Sequence, residues 1–263
     1  MMRNIRLTMV QMSSLAGEPE KNLESMLVFV DNNRDSDIIC FPEMCLSGYS
    51  TNDAETVAIS PDHECVRALL EKSKETGTAI VFGFVEQRDG FMSLRQEIAD
   101  GSNERKFYRK THLGKRESEV FRPGDELPVF DVKGVKVAIQ LCIESHINDI
   151  CTVYRSMGAE LVLTPFATGI STRRKETWAR YLPARAYDNG MYVAACSCVG
   201  DNGRGAKFGG GLIIIDPRGR TVAEYYGEDE MTITAEIGGE LPRDGADDMK
   251  NISFFDRRRP ELY

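Results

Sequence analysis

The chain has 263 residues, a formal net charge of −8, 41% hydrophobic residues and 28% charged residues. This composition supports a buried core, so it excludes an intrinsically disordered chain, a collagen and a coiled coil. The acidic balance argues against nucleic acid or a membrane surface as a partner, because both require a basic face. Seven cysteines are too few for a disulfide scaffold, and we expect a soluble protein of the reducing cytoplasm.

Hydrophobic periodicity predicts alternating strands and helices. Residues 1–11 alternate apolar and polar side chains, which is typical of a strand rather than of a signal peptide. Helical spacing of apolar residues predicts helices at 18–32, 62–76, 147–157 and 177–189. Short apolar runs predict strands at 37–41, 79–85, 135–141, 160–164, 191–198, 211–216, 221–225 and 232–237. Asp89-Gly90 and Asp100-Gly101 are hairpin signals that bracket a further strand at 92–99.

No linker, low-complexity tract or internal repeat divides this pattern. We therefore predict one α/β domain over residues 1–263, with helices layered on sheets. The segment from about 241 to 263 is polar and lacks the periodicity of a core element. We expect it to lie on the surface or against another subunit.

Three reactive side chains follow predicted strands. Glu43 comes after the strand at 37–41, Lys110 after residues 106–109, and Cys142 after the strand at 135–141. Functional groups of open α/β sheets gather at the carboxyl ends of strands, so these three can form one constellation. Each has an ordinary explanation taken singly: a loop carboxylate, a solvated lysine and a small buried hydrophobe. Their combination indicates a catalytic site.

The motifs around these residues occur in one order along the whole chain. They are Phe41-Pro42-Glu43 with Leu46, Gly48 and Tyr49; Tyr108-Arg109-Lys110-Thr111-His112-Leu113; Glu117 with Phe121 and Pro123-Gly124-Asp125; Leu141-Cys142-Ile143-Glu144; and Arg259-Pro260-Glu261-Leu262-Tyr263. This order resembles the nitrilase superfamily of carbon–nitrogen hydrolases, in its amidase-like branch. The resemblance implies a four-layer αββα sandwich that assembles into dimers or higher oligomers.

The resemblance also implies roles for the reactive residues. Glu43 would be the general base, Cys142 the nucleophile, and Lys110 the cation that stabilises the tetrahedral oxyanion. Glu117 falls at the position of the family's second glutamate, and the backbone N–H of Ile143 would be a second oxyanion donor. The neighbouring Glu119 is the less favoured candidate for the second glutamate.

Elementary chemistry agrees with these roles. A free thiol with a pKa of ~8.5 is mostly protonated at neutral pH, so a base or a cation must activate it. Glu43 can accept that proton, pass it to the departing amine, and later activate water against the thioester. Lys110 supplies a counter-charge and a hydrogen-bond donor for the developing oxyanion.

Substrate contacts are less specific. Arg173 and Arg174 are either part of a solvated loop before a helix or a clamp for a substrate carboxylate, which an arginine fork binds through two hydrogen bonds. The clamp is suggested by the resemblance, because relatives acting on N-carbamoyl acids use basic residues in this region. Tyr49, in the loop at 47–53, and His112, beside Lys110, are further candidates.

Other constellations are weaker. His146 follows Cys142 by four residues, which suggests a Cys–His dyad. A helix that begins just after Cys142 need not bring the two side chains together, so we favour Glu43 as the base. The glycines from Gly200 to Gly211 lack the endings of phosphate-binding fingerprints and indicate a flexible loop. Cys142 and Cys151 do not form a Cys-x-x-Cys redox motif. No cysteine pairs occur at zinc spacing, and we expect no metal and no organic cofactor.

The sequence thus predicts an amidohydrolase that cleaves a non-peptide C–N bond of a small amide or N-carbamoyl compound, releasing ammonia or an amine. A nitrile hydrolase of the same family and a non-catalytic binding member are the alternatives. Two departures from the family pattern leave the substrate open. Ile147-Asn148-Asp149 replaces a common Phe-Pro-Glu, and Cys196 stands where asparagine is common.

Overall fold

The computed structural model describes residues 2–171, 173–239 and 255–262. Its strands are β1 (Ile5–Gln11), β2 (Ile38–Cys40), β3 (Ala79–Arg88), β4 (Phe91–Ala99), β5 (Lys106–Arg109), β6 (Val129–Val132), β7 (Val135–Ile139), β8 (Leu161–Phe166), β9 (Tyr192–Ser197), β10 (Val199–Asp201), β11 (Lys207–Gly209), β12 (Leu212–Ile215), β13 (Thr221–Tyr225) and β14 (Met231–Ile237). Its α-helices are α1 (Pro19–Asn32), α2 (Glu64–Thr76), α3 (Asn148–Ser156), α4 (Arg174–Trp178) and α5 (Leu182–Asn189). Short 3₁₀ helices occupy Ala54–Thr56, Glu117–Glu119, Cys142–His146, Phe255–Arg257 and Pro260–Leu262.

The strands form two six-stranded sheets, in the orders β14-β1-β2-β3-β4-β5 and β13-β12-β9-β8-β7-β6. Three neighbouring strands of each sheet are parallel, and the others pair antiparallel. Parallel strands require crossover connections, which α1 and α2 supply in the first sheet and α3, α4 and α5 in the second. Because β5 lies two antiparallel steps from β3, its carboxyl end reaches the same edge as that of β2.

The two sheets pack face to face. Along β1, Ile5, Leu7 and Met9 point into a core shared with the second sheet, while Val10 points into a core under α1 and α2. This alternation is the period of two that a strand with both faces covered requires. The outer face of the second sheet packs on α3, α4 and α5. The layers are therefore helix, sheet, sheet and helix, which confirms the predicted αββα sandwich.

One predicted helix is wrong. Residues 177–189 do not form a continuous helix, because α4 ends at Trp178 and α5 starts at Leu182. Pro183 lies in the first turn of α5, where its missing N–H costs nothing, whereas inside one long helix it would break a hydrogen bond. The predicted strand at 135–141 ends early, at Ile139.

The sequence prediction also lacked three short strands. These are β6, which pairs with β7, and β10 and β11, which pair with each other within the glycine-rich segment that was predicted to be a flexible loop. Gly200, Gly203 and Gly205 have positive φ angles of 79°, 76° and 86°, so the glycines there serve a tight hairpin.

The predicted tail lies partly outside the described residues, which omit 240–254 and 263. Its described part forms the last two 3₁₀ helices, and the Phe255 ring lies 5.6 Å from the Arg155 guanidinium of α3. An interface role for the tail stays a prediction. Within the described ranges, no helix combines the length and the apolar character needed to cross a membrane.

Candidate active site

A buried acidic cluster lies at the edge where β2 and β5 end. Its members are Glu43, Lys110 and Glu117. The Lys110 Nζ lies 2.9 Å from the Glu43 Oε1 and 2.9 Å from the Glu117 Oε1. All three side chains are buried. The structure therefore brings together three of the four predicted catalytic side chains through direct contacts, and Glu119, the less favoured alternative, is exposed.

The Glu43 carboxylate is held from both sides. Its Oε1 accepts from Lys110, and its Oε2 accepts a hydrogen bond of 3.1 Å from the Ala167 N–H, which follows β8. The Cys198 thiol donates to the Glu43 carbonyl oxygen at 3.5 Å. These hydrogen bonds fix the orientation of the carboxylate. A group that exchanges a proton with a substrate requires such an orientation.

The Cys142 thiol starts a tight turn three residues beyond the end of β7. Cys142 has a φ of 48°, a left-handed conformation that is uncommon for a residue with a side chain. The Ser145 hydroxyl stabilises this turn by donating to the Cys142 carbonyl oxygen at 2.6 Å. The thiol is half-buried, with its Sγ 3.6 Å from the Thr168 Oγ1.

Ile143 follows the thiol in the first turn of the 3₁₀ helix. The first hydrogen bond of this helix runs from the Glu144 N–H to the Leu141 carbonyl oxygen, at 3.0 Å. The N–H of Ile143 precedes that bond, and N–H groups in this position have no partner within their own helix. The role of the Ile143 N–H as an oxyanion donor stays a prediction.

The charges of the site shift one another's pKa. Burial raises the pKa of Glu43 to about 7, with help from the Glu117 and Glu144 carboxylates and against the attraction of Lys110. Burial and the Glu43 charge raise the pKa of the Cys142 thiol to about 11, against Lys110 and Thr168. At neutral pH the thiol therefore keeps its proton, and the nearby carboxylate titrates in the range that suits a general base.

Lys110 stays charged in this setting. Burial alone lowers the pKa of an ammonium, but Glu43, Cys142 and Glu117 in their ionised forms outweigh it, so the pKa of Lys110 lies above its usual value. A permanently charged donor in a water-poor site is what stabilisation of an oxyanion requires.

The two candidate arginines have different surroundings. Arg173 is exposed, as the solvated-loop interpretation expects. For Arg174 that interpretation is wrong: this side chain is buried at the start of α4, 5.6 Å from the Trp178 ring. Its Nη2 donates to the carbonyl oxygens of Thr168 and Gly169 at 3.1 and 2.7 Å. Its Nε is buried without a hydrogen bond, and burial lowers its pKa while the Cys142 charge acts to raise it.

Tyr49 and His112 also differ. Tyr49 is half-buried, with its ring 6.1 Å from the Phe208 ring. Burial and the Glu117 and Glu43 carboxylates raise the pKa of Tyr49, and substrate contact by Tyr49 stays a prediction. His112 is exposed, and its Nδ1 lies 2.8 Å from the Thr111 Oγ1. The structure therefore gives His112 a partner in its own loop, and substrate contact by His112 stays a prediction.

The described partner of the Cys142 thiol is the Thr168 hydroxyl, and His146 contacts another side chain. Its ring lies 4.2 Å from the ring of Tyr181. Burial and the nearby Arg185 lower the pKa of His146. The residue packs as an aromatic side chain.

Glu144 is the functional residue that sequence reasoning missed. Its carboxylate is fully buried and accepts five hydrogen bonds, four on Oε1 and one on Oε2. Its place three residues after Leu141 is the spacing of a capping box, in which a glutamate accepts from the N-cap N–H. That spacing was the only local signal.

One group of metal-ligand type occurs among the described residues, at Glu20, His63 and Cys65, whose ligand atoms lie within 4.8 Å of one another. His63 caps α2 there, because its Nδ1 accepts from the Cys65 N–H at 3.3 Å. None of the three residues contacts the acidic cluster, and the expectation of a metal-free reaction stays a prediction.

Known proteins resemble the chain over nearly its full length. Residues 6–241 match the family model described as carbon-nitrogen hydrolase. The 2-oxoglutaramate amidase of Bacillus subtilis (strain 168) is 29% identical over 252 residues, covering 94% of this chain and 95% of the relative. An (R)-stereoselective amidase from Pseudomonas sp is 27% identical over 235 residues, covering 89% and 85%.

Solved structures show the same fold. A cysteine-to-alanine mutant of the amidase from Nesterenkonia sp. AN1, in complex with butyramide, has a TM-score of 0.81 at 22% identity, covering 98% of this chain and 95% of that one. A second Nesterenkonia structure is described as an amidase from the nitrilase superfamily. The αββα architecture is therefore that of this superfamily.

Proposed function

The chain belongs to the carbon-nitrogen hydrolase family, and on that premise we propose that it hydrolyses the C–N bond of a small amide or N-carbamoyl compound through a thioester on Cys142. The observation that carries the proposal is the contact of one buried ammonium, Lys110, with the carboxylates of Glu43 and Glu117, beside a half-buried thiol. Relatives named as amidases support amide cleavage.

In the first half-reaction the Cys142 sulfur attacks the substrate carbonyl carbon while Glu43 takes the thiol proton. The carbonyl oxygen becomes an oxyanion, which Lys110 and the Ile143 N–H stabilise. The C–N bond then breaks, Glu43 passes its proton to the leaving nitrogen, and ammonia or an amine departs. The acyl group remains on Cys142 as a thioester. Removal of one oxyanion donor typically costs ~10²–10³ in rate.

In the second half-reaction water replaces the amine. Glu43, again ionised, takes a proton from water as its oxygen attacks the thioester carbon. The C–S bond breaks, the acid leaves, and the sulfur recovers the proton from Glu43. Glu117 keeps the Lys110 ammonium in place, since it accepts from Lys110 while its other oxygen accepts from the Gly114 N–H at 2.7 Å.

Arg174 favours substrates that carry an acidic group. Its buried Nε has no hydrogen-bond partner, and its charge acts on the Cys142 thiol. A carboxylate on the substrate would pair with this guanidinium and satisfy the free N–H, which a neutral amide does less well. We therefore expect a lower KM for an acidic amide than for its neutral analogue, and expect Arg174→Lys to narrow that difference more than Arg173→Lys.

Ammonia release from a panel of small amides, N-carbamoyl acids and nitriles tests the proposed reaction. We expect release from amides or carbamoyl acids, none from nitriles, and none from any compound with Cys142→Ala. Cys151→Ala is the matched control, because that thiol is buried elsewhere, 3.4 Å from the Gln140 Oε1. Full activity of Cys142→Ala, or equal losses in both variants, would contradict a single nucleophilic thiol.

A further inference from the structure

The Glu144 carboxylate joins two separate segments of the chain. From the segment after β5, its Oε1 accepts from the Tyr108 hydroxyl (2.6 Å), from the Thr111 N–H and hydroxyl (2.9 and 2.7 Å), and from the His112 N–H (3.0 Å). From the thiol turn, its Oε2 accepts from the Leu141 N–H at 2.7 Å. The Glu144 side chain is fully buried, so these hydrogen bonds do not compete with solvent.

These donors flank the two groups that must act on one carbonyl. Tyr108 and Thr111 stand on either side of Lys110 in the sequence, and Leu141 and Glu144 stand on either side of Cys142. One carboxylate thus sets the separation between the ammonium and the thiol. A misplacement of about 1 Å in such a pair can cost ~10²-fold in rate.

Among the described residues, no lysine or arginine forms an ion pair with the Glu144 carboxylate. The described groups that face it are the phenol of Tyr108, the phenol of Tyr154 from α3, and His112, whose exposed Nδ1 lies 3.6 Å away. Tyr154 itself donates to the Ile139 carbonyl oxygen at 2.5 Å. Hydrogen bonds from neutral donors satisfy the oxygens of a buried carboxylate, but they add no positive charge beside it.

We infer that Glu144 is a positioning residue that holds the Lys110 segment against the Cys142 turn and whose negative charge strengthens Glu43 as a base. The inference rests on the proposed function, in which Glu43 moves the protons. The groups that act on Glu43 are Lys110, Glu117 and Glu144, and the Glu144 charge acts in the direction that raises the pKa of Glu43.

Two variants separate position from charge. Glu144→Gln removes the charge but keeps one oxygen that accepts from the segment after β5. Its NH₂ group then faces the Leu141 N–H and accepts no hydrogen bond from it. Tyr108→Phe removes one hydrogen bond to Glu144 and leaves the charge in place. Glu119→Gln is the control, because it removes an exposed carboxylate of the neighbouring 3₁₀ helix.

The readout is the rate at which iodoacetamide alkylates Cys142, measured from pH 5 to pH 9 by peptide mass spectrometry, together with kcat/KM for the best amide of the panel. Alkylation does not require turnover, so a wild-type protein that alkylates but hydrolyses nothing contradicts the proposed function alone. Thermal unfolding of each variant shows that the comparison is made on folded protein.

We call the fall of each rate toward low pH its acid limb. In Glu144→Gln we expect the acid limb of both pH profiles to move to lower pH. We also expect kcat/KM to fall by about 10²-fold, because the alignment of ammonium and thiol is lost. In Tyr108→Phe we expect a smaller loss with the acid limb unmoved, and in Glu119→Gln no change. If Glu144→Gln does not fold, Tyr108→Phe decides. A shift of its acid limb along the pH axis, or a kcat/KM equal to that of wild type, overturns the inference. A wild-type acid limb in folded Glu144→Gln overturns it as well.

Discussion

The protein buries two clusters of charged side chains, and the balance of charge differs between them. The acidic cluster has one ammonium, Lys110, between two carboxylates. A second cluster lies across β3, β4 and β5, where three guanidinium groups meet two carboxylates. We call it the arginine cluster; its members are Glu86, Arg95, Glu97, Arg105 and Arg109.

The arginine cluster surrounds its two carboxylates with guanidinium groups and lowers the pKa of Glu86. Arg95 contacts Glu86 at 2.8 Å and Glu97 at 2.5 Å, and Arg109 and Arg105 contact the same carboxylates from the outside at 2.5 Å each. Burial alone would raise the pKa of Glu86, but its hydrogen bonds and attraction to Arg109 and Arg95 lower it overall. Guanidinium groups do not lose their protons, so this cluster is fixed across the physiological range.

Burial acts to raise the pKa of both carboxylates, and the cations around each one decide whether that effect is outweighed. With cations in excess, the pKa of Glu86 falls and the group serves the fold. With carboxylates in excess, the pKa of Glu43 rises to about 7 and the group can exchange a proton near neutral pH. Four predictions test this difference.

Removal of the only cation of the acidic cluster should have the largest effect. In Lys110→Met, two buried carboxylates face each other, the pKa of Glu43 rises further, and the oxyanion loses a donor. We expect kcat/KM to fall about 10³-fold or more. Lys106→Met, at the other end of β5, removes a pair with Asp100 and is the control. A loss below tenfold in Lys110→Met would contradict the role of the ammonium.

Removal of the central cation of the arginine cluster should instead affect stability. Arg95→Met leaves Glu86 and Glu97 buried with fewer partners, and breaking such a buried pair costs about 3–5 kcal/mol of unfolding free energy. Urea titration measures this cost against Arg88→Met, whose exposed pair with Asp89 is worth less than about 1 kcal/mol. The kcat of folded Arg95→Met should stay near wild type; a large loss of kcat would show that the two clusters are not separate in function.

Neutralising one carboxylate of the acidic cluster should have a moderate effect. In Glu117→Gln the pKa of Glu43 falls, because the Glu117 charge raises it, so the acid limb of kcat/KM moves to lower pH. Loss of a charge-assisted hydrogen bond to Lys110 costs about 1.5–3 kcal/mol, or roughly 10- to 100-fold in rate. Glu119→Gln, two residues away and exposed, should match wild type in both measurements. An unmoved acid limb in Glu117→Gln would break the charge-ratio argument.

Acidification of the wild-type protein should have the mildest, fully reversible effect. Glu43 acts only when ionised, so activity falls as the pH drops through about 7. The pKa of Glu86 is lowered from 4.5, so its contribution to stability is present above that value and is lost only at lower pH. Between pH 7 and pH 5 we therefore expect lost activity with unchanged circular dichroism. Unfolding in the same range as inactivation would contradict the separation.

Much of the fold was predictable because its signals are local. Continuous apolar runs mark the parallel strands, and helical spacing marks α1, α2 and α3. The break before α5 was also visible, at Pro183, but the apolar spacing of residues 177–189 outweighed it. The β10–β11 hairpin had its signal in the glycines, which were interpreted as a loop. The homo-oligomer and the cytoplasmic location stay predictions.

The site was predictable only in part, for the same reason. Glu43 and Lys110 follow strands of one sheet and Cys142 follows a strand of the other, so strand ends were the signal for all three. Arg174 lies in a run of charged residues, and its burial depends on how the loop after β8 folds back, because the carbonyl oxygens of Thr168 and Gly169 accept from it. Glu144 accepts mainly from residues 32 to 36 positions earlier in the chain. No local pattern carries such contacts.

The central claim is that Cys142 carries the acyl group during turnover. Acid quenching of the wild-type protein within milliseconds of mixing with its best amide, followed by peptide mass spectrometry, tests this claim directly. We expect the peptide containing Cys142 to gain the mass of the acyl group and to lose it again as substrate is exhausted. Turnover with an unmodified Cys142 peptide, or with the acyl group on another residue, would contradict the account.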